Sequence, residues 1–454
     1  MNTRTHKRTH KRTSTRLNGG KAWATLALFS GLSVGSHATS YFKWDMVELP
    51  AATGATCGNG TPYRFFVNRT PLTTKTIVIF EGGGACYGQK ACQYKDGFLG
   101  AINPNGIPKD YMTNVIPSLP NTAGTTIGVF NSALLGNITP FATRMNTTKV
   151  QTQSWNIVYA PYCTGDVYTG NTVAVYDDAD PAHPLSYFHR GDVNTQVMAK
   201  WLGANMPKPA NLLVYGFSAG AVGATAHYPL IRNALAPVKA ALLADSGPLF
   251  DAPLGASPLE APSAPLYARV RQAWGLDGPD AMVQRLLKQY PDAGGDARNL
   301  GSLNAALARI FPQDRLGFTI TQSDKLFSAF AYDNFFPEIR AGATIQARDA
   351  LRLAKWRQEI GPWLDTMKPY ANVGYYIPYS RDSVLKSHTT TMLTFNNTDV
   401  PEAGFDSIRR FVDNLIDGSG PTSRVFELSH TARKPITDAV ADYFANLIFT
   451  QVGL

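Results

Sequence analysis

Six short apolar runs rich in β-branched residues set the strongest limit on how this chain can fold: TIVIF at 76–80, NIVYA at 156–160, LLVYGF at 212–217, AALLAD at 240–245, LGFTIT at 316–321 and VGYYIP at 373–378. Each is bounded by turn residues, and none alternates apolar with polar. That is the pattern of strands buried on both faces of a parallel sheet. Helical stretches lie between them, such as DVNTQVMAKWLGA and GAVGATAHYPLIRNAL. Parallel neighbours need long crossover connections, and helices supply them. The repetition specifies an α/β class with a mostly parallel, doubly wound sheet. The interval of about 70 residues between 245 and 316 is too long for a bare loop. Within it, DAMVQRLLKQY places Met282, Val283, Leu286, Leu287 and Tyr290 on one helical face, and LGSLNAALARIF is similar. Residues 252–315 therefore read as a helical cap or lid inserted into a single domain spanning 39–454.

The N-terminus distorts the charge. Residues 1–38 hold Arg4, Lys7, Arg8, Lys11, Arg12, Arg16 and Lys21 without an acid, then the apolar AWATLALFSGLSVG, then Ser36-His37-Ala38 as a small-x-small cleavage site. This is the anatomy of a cleavable secretory signal peptide, with an apolar part too short to span a bilayer. Its removal takes the formal charge from +9 to +2. The basic balance thus belongs to targeting and argues for neither a nucleic-acid partner nor stable membrane insertion. A secreted or periplasmic product is expected. Export also bears on Cys57, Cys86, Cys92 and Cys163, because an oxidising compartment favours two disulfides over thiols. No Cys-x-x-Cys or His-Glu-x-x-His spacing argues for a metal site.

Gly216-Phe217-Ser218-Ala219-Gly220 fits G-x-S-x-G, and it stands between an expected strand and an expected small-residue helix. In that setting the serine is a nucleophile raised on a sharp turn, with the N–H of Ala219 as one oxyanion donor. FEGGGACYG at 80–88 also follows a strand directly, and its glycines allow further N–H groups to converge on one point. A serine nucleophile needs a base, and the base needs an orienting carboxylate. The chain order Ser, acid, His leaves His388 and His430, with His388 preferred because it follows the last expected strand by ten residues. For the acid, Asp245 ends the strand after the nucleophile strand and Asp333 follows the next one, and spacing does not choose between them.

Taken together, ATCGNGTPYRFF at 55–66, VIFEGGGACYGQKAC at 78–92, APYCTGDVYTG at 160–170, YFHRG at 187–191, YGFSAGAVG at 215–223, LADSG at 243–247, FAYDNFF at 330–336 and VLKSH at 384–388 resemble the pectinacetylesterase family, with its plant pectin acetylesterases and the animal carboxylesterase Notum. The resemblance implies an α/β-hydrolase fold in a bacterial-type secreted member. It also implies a Ser218, Asp333, His388 triad, with oxyanion donors from Gly83, Gly84 and Ala219. Asp245 then becomes structural, the fallback acid. The pairs Cys57–Cys163 and Cys86–Cys92 are implied as well. One departure is informative: Gly84 and Ala85 stand where the family carries a bulky aromatic before the first cysteine of the small loop, so acyl-chain preference does not carry over.

These readings converge on a secreted serine carboxylesterase that needs no cofactor and acts on acyl or acetyl esters, including esters borne on a polysaccharide. Tyr87, Tyr162, Tyr168, Phe335 and Phe336 are candidate groove residues, while Asp166 reads as a turn carboxylate. A monomer is the expected state. The alternatives are an extracellular polyester depolymerase or lipase with the same triad, and a non-catalytic carbohydrate-binding or adhesion protein on a hydrolase scaffold.

Overall fold

The apolar runs form the strands expected of them. The computed structural model describes residues 41–95, 100–112, 139–142, 144, 150–381, 387–392 and 395–428. The expected leader and the alternative base His430 lie outside these residues. The strands are β1 (Trp44–Glu48), β2 (Arg64–Asn68), β3 (Thr76–Phe80), β4 (Asn156–Ala160), β5 (Thr172–Tyr176), β6 (Leu185–His189), β7 (Asn211–Phe217), β8 (Lys239–Asp245), β9 (Arg315–Thr319), β10 (Val373–Ile377) and β11 (Arg424–Phe426). Nine of them make one sheet in the order β1-β2-β4-β3-β7-β8-β9-β10-β11, and β5 pairs with β6 as a separate antiparallel hairpin. From β4 through β11 every pairing is parallel. Only β1 on β2 and β2 on β4 are antiparallel. The fold is that of an α/β hydrolase.

The central strands are buried along their whole length: every residue of β3 and of β4, and all but the first of β7 and of β8. Their continuous Val, Ile, Leu and Ala content is what a strand covered on both faces requires. Helices α1 (Gln89–Cys92), α2 (Gly191–Asn205), α3 (Ala219–Leu235), α4 (Ala264–Trp274), α5 (Met282–Gln289), α6 (Ser302–Ile310), α7 (Lys325–Tyr332), α8 (Pro337–Arg340), α9 (Ile345–Met367) and α10 (Arg409–Asp417) lie between and beside the strands. The helical content expected of 252–315 is present as α4, α5 and α6. Their apolar faces, including Leu266, Val270, Trp274, Leu286, Leu303 and Leu307, join the same hydrophobic cluster as the sheet. Among the described residues, no helix is long and apolar enough to cross a membrane.

Two disulfides join Cys57 to Cys163 and Cys86 to Cys92, the pairing the resemblance implied. The first links the segment before β2 to the loop after β4, across a sequence separation of 106. The second closes a small loop directly after the glycine-rich turn that follows β3.

The topology fixes where a site can form. The chain passes from β3 outward to β4 on one side, then returns to place β7 on the other. Such a switch in strand order opens a crevice at the carboxyl ends of the strands. The glycine turn after β3, Ser218 after β7 and Asp245 at the end of β8 all stand on that edge. The segments after β9 and β10, which carry Asp324 and His388, leave from the same edge.

Candidate active site

Ser218 is the residue between β7 and α3, with φ 56° and ψ −127°. A non-glycine residue at positive φ costs roughly 1–3 kcal/mol and persists only where its surroundings impose it. Here they do. The Ser218 N–H donates to the carbonyl of Asp245 at 2.7 Å, and the Ser218 carbonyl accepts from the N–H of Ala221 at 2.9 Å. The flanking glycines are steric requirements of the motif. A Cβ on Gly216 would stand 2.0 Å from the Gly220 carbonyl oxygen, and one on Gly220 would stand 2.1 Å from that of Phe80. The turn therefore closes only because both lack side chains, and it leaves Ser218 half-buried at the head of a helix.

The glycine turn lies against this serine. A Cβ on Gly82 would come within 2.9 Å of Ser218 Cβ. Gly83 and Gly84 follow at φ 147° and 68°, backbone conformations that favour glycine. The Gly83 carbonyl is turned away to accept from Ile102 N–H at 3.1 Å. Ala219 opens α3, where the first backbone N–H groups of a helix have no intrahelical acceptor. The glycine turn and the first turn of α3 thus both lie beside Ser218.

His388 is 3% exposed. Its Nδ1 lies 2.9 Å from Oδ2 of Asp324, which is itself fully buried. The other oxygen, Oδ1, accepts from the N–H groups of Leu326 at 3.1 Å and Phe327 at 2.8 Å, so Asp324 also caps α7. Burial pushes the Asp324 carboxyl above the usual carboxylate range, while His388 and the two amides pull it back. His388 Nε2 is buried without a hydrogen-bond partner. No hydrogen bond joins it to Ser218, a contact that in many hydrolases is long until the reacting complex forms.

Asp333, the acid expected from the resemblance, is not at this histidine. It terminates α7, and its Oδ2 binds Arg352 at 2.8 Å. The reason is helix length. Asp324 and Asp333 stand nine residues apart at opposite ends of α7, roughly 13 Å at 1.5 Å rise per residue. Only the first stands beside the strand end. The local signal for Asp324 was present in the sequence: Ser323-Asp324 precedes the apolar run KLFSAF, as a capping residue precedes a helix.

Asp245, the fallback acid, takes the structural part. Its carboxylate accepts from the N–H of Thr390 at 3.0 Å and of Thr391 at 2.8 Å, from both threonine hydroxyls, and from Ser246 Oγ at 2.8 Å. It ties the segment carrying His388 to the end of β8, where the Asp245 carbonyl also holds the Ser218 N–H. Thr319 Oγ1 adds a contact to Thr390 Oγ1 at 3.0 Å. From below, the buried Arg381 guanidinium donates to the carbonyls of Thr389 and Thr390.

Of the candidate groove aromatics, Tyr162, Tyr168 and Phe336 are core residues. Tyr87 and Phe335 are half-buried and belong to a strip that begins at the histidine. Ring centroids run from His388 to Phe327 at 6.5 Å, on to Phe330 at 6.1 Å, to Tyr87 at 6.1 Å and to Phe335 at 6.1 Å. Its far end carries polar groups, with Asn334 Nδ2 donating to Tyr87 Oη at 3.1 Å and the Arg269 guanidinium 5.7 Å above the Tyr87 ring. Phe327 and Phe330 went unrecognised in the sequence because they also satisfy the apolar face of α7.

Asp166 is a buried turn carboxylate, accepting from Thr164 Oγ1 at 2.6 Å and from the N–H of Gly191 at 2.8 Å. Cys86, Cys92 and His189 come within 4.8 Å of one another. Their donor atoms are committed, the sulfurs to their disulfide and the imidazole to Tyr176 Oη and the Thr164 carbonyl. This donor set does not fit a resident metal ion.

The family model described as pectinacetylesterase matches residues 141–257 of this chain. That segment contains Ser218 and Asp245; the glycine turn, Asp324 and His388 lie outside it. Pectin acetylesterase 7 of Arabidopsis thaliana is 25% identical over 217 residues, 47% of this chain and 47% of the relative. Pectin acetylesterase 11 of the same plant is 25% identical over 216 residues, 47% and 46% respectively. The chain thus spans about half the length of the curated relatives it matches. Among solved structures, the Wnt deacylase Notum from Drosophila matches with a TM-score of 0.53 and 17% identity, covering 85% of this chain and 96% of that one. At that identity the likeness speaks for the fold.

Proposed function

We propose that this chain, like the pectinacetylesterases whose family model matches residues 141–257, hydrolyses carboxylic esters through an acyl-enzyme formed on Ser218. The observation that carries the reading is the convergence on one sheet edge of a strained serine elbow, a glycine turn against it, and a buried His388–Asp324 pair whose Nε2 is unengaged. In the proposed reaction, Nε2 of His388 takes the Ser218 proton as the hydroxyl oxygen attacks the ester carbonyl. Asp324 holds the proton on Nδ1 and offsets the charge of the imidazolium. The N–H groups of Gly83, Gly84 and Ala219 receive the oxyanion, each such donor worth about 3 kcal/mol to the transition state. The imidazolium then protonates the departing alkoxide, and water repeats the sequence to release the acid.

The aromatic strip supports an ester borne on a carbohydrate. Flat ring faces stack on sugar rings, and the amide of Asn334 and guanidinium of Arg269 supply hydrogen bonds at its polar end. Export, with residues 1–38 as leader, completes the reading, since two buried disulfides suit an oxidising compartment. The test is release of acid from acetylated polysaccharides, from 4-nitrophenyl esters graded from acetate to palmitate, and from aliphatic polyester films. Acetyl release from the polysaccharide is expected. Preference for polyester or long acyl chains would move the substrate class, and failure to hydrolyse any ester would overturn the reading.

A further inference from the structure

Glu81 follows β3 directly and precedes Gly82, the residue packed on Ser218. All its polar groups are engaged. Its N–H donates to the Ala160 carbonyl at 3.1 Å, and its carbonyl accepts from Tyr168 Oη at 2.9 Å. Its carboxylate is fully buried, without a cationic partner among the described residues. It is met instead by three donors: Tyr111 Oη at 2.8 Å, Tyr159 Oη at 2.9 Å and the N–H of Tyr162 at 2.9 Å. The donor direction at Tyr111 is fixed, because that oxygen already accepts from Asn103 Nδ2 at 3.1 Å. Burying a carboxylate without a counter-charge is costly, and three convergent donors are what makes it tolerable. A tyrosine-lined cage of this kind is more than a strand end needs in order to turn.

We propose that Glu81 is a positioning residue: its ionised carboxylate ties two chain segments, the stretch at Tyr111 and the end of β4 at Tyr159–Tyr162, to the base of the Gly82–Gly84 turn and so fixes the oxyanion donors relative to Ser218. The proposal rests on the serine-esterase reading and assigns that site an ionisation at Glu81. The ionisable groups facing the carboxylate are the phenols of Tyr63, Tyr111, Tyr159 and Tyr168. Burial pushes those of Tyr63, Tyr159 and Tyr168 well up, so they stay neutral. Asp166, the other acid nearby, acts on Tyr63 and Tyr162. Burial lifts the Glu81 carboxyl to about 7 despite its donors. Protonation sets an O–H against groups that themselves donate. The cage then loosens, and with Gly82 in van der Waals contact with Ser218 the turn has no slack to absorb the shift.

The test is kcat and KM against pH for 4-nitrophenyl acetate, with fluorophosphonate labelling of Ser218 run in parallel. Glu81→Gln should lower kcat at least tenfold with KM within twofold, and the acid-side fall of log kcat in the wild type should be steeper than in Glu81→Gln by one proton, the one taken up by Glu81 near pH 7. Tyr111→Phe removes a donor that favours the charged form and should move the acid limb to higher pH. Wild-type kcat in Glu81→Gln, or a loss of kcat with the acid limb unchanged, would overturn the proposal. If Glu81→Gln does not fold by circular dichroism, Tyr111→Phe decides: an unmoved limb overturns the proposal. A wild-type protein that is not labelled at Ser218 instead overturns the esterase reading on which the proposal depends.

Discussion

One carboxylate does two jobs at the candidate site: Asp324 holds Nδ1 of His388 through Oδ2 at 2.9 Å and caps α7 through Oδ1. The cap fixes the carboxyl plane, and the plane fixes the imidazole. Because the same residue ends the β9 crossover and begins a helix, the acid stands at the sheet edge without relying on a flexible loop.

Asp324→Asn should keep the fold and lower kcat by as much as ~10⁴, since an amide at Oδ2 favours the wrong imidazole tautomer. Asn still caps a helix, so the thermal midpoint should move little. Asp333→Asn should leave kcat unchanged and weaken only a partly exposed pair with Arg352, by up to about 1 kcal/mol. Steady-state kinetics on the two purified variants decides between the acids.

Asp245→Ala should act first on stability. It leaves the N–H groups and hydroxyls of Thr390 and Thr391 without their acceptor. Each buried donor left unpaired costs about 1–3 kcal/mol. Denaturant unfolding should show a loss of several kcal/mol, with weaker protease resistance around residues 387–392. An unchanged midpoint would mean that the segment is held by other contacts.

Tyr87→Ala should separate polymer from small ester. Removal of the ring breaks the strip between Phe330 and Phe335 without touching the triad. KM for an acetylated polysaccharide should rise at least tenfold while kcat for 4-nitrophenyl acetate stays within twofold. Equal losses on both substrates would place Tyr87 in support of the catalytic turn.

The Cys57–Cys163 bridge should be the more stabilising of the two. It closes a separation of 106 residues against 6 for Cys86–Cys92. On the chain-entropy account the larger loop stabilises by ~4–5 kcal/mol. The Cys57→Ser, Cys163→Ser double variant should show that loss in equilibrium unfolding, and native protein should titrate no free thiol.

What the sequence made legible, and what it hid, follows from the reach of each signal. β3, β4, β7, β8, β9 and β10 fall where continuous apolar runs place them, because strands buried on both faces write their burial into every residue. The hairpin β5–β6 and the antiparallel β1 do not: Val173 and Val175 are exposed apolar residues, and no residue of β1 is fully buried, so neither has a clear pattern. Ser218 was readable because strand, turn and helix are contiguous around it. His388 was readable from chain order and distance beyond the last strand. The acid was not, since Asp245 ends β8 while Asp324 and Asp333 stand at the two ends of α7, and only the folded course of the chain shows which carboxylate meets His388. The motif around Asp333 is eye-catching because Tyr332 and Phe336 pack the core, which has no bearing on catalysis.

The most direct measurement of the central claim is mass-spectrometric mapping of a fluorophosphonate adduct on the folded protein, run beside Ser218→Ala, His388→Ala and the double variant. The account predicts one adduct, on Ser218, no adduct in Ser218→Ala, and labelling strongly slowed in His388→Ala because the hydroxyl has lost its base. Ester hydrolysis should fall in step, and the double variant should lose little beyond either single one, since the two residues act as a unit. A folded Ser218→Ala that hydrolyses esters at the wild-type rate, or an adduct that maps to another residue, would contradict it.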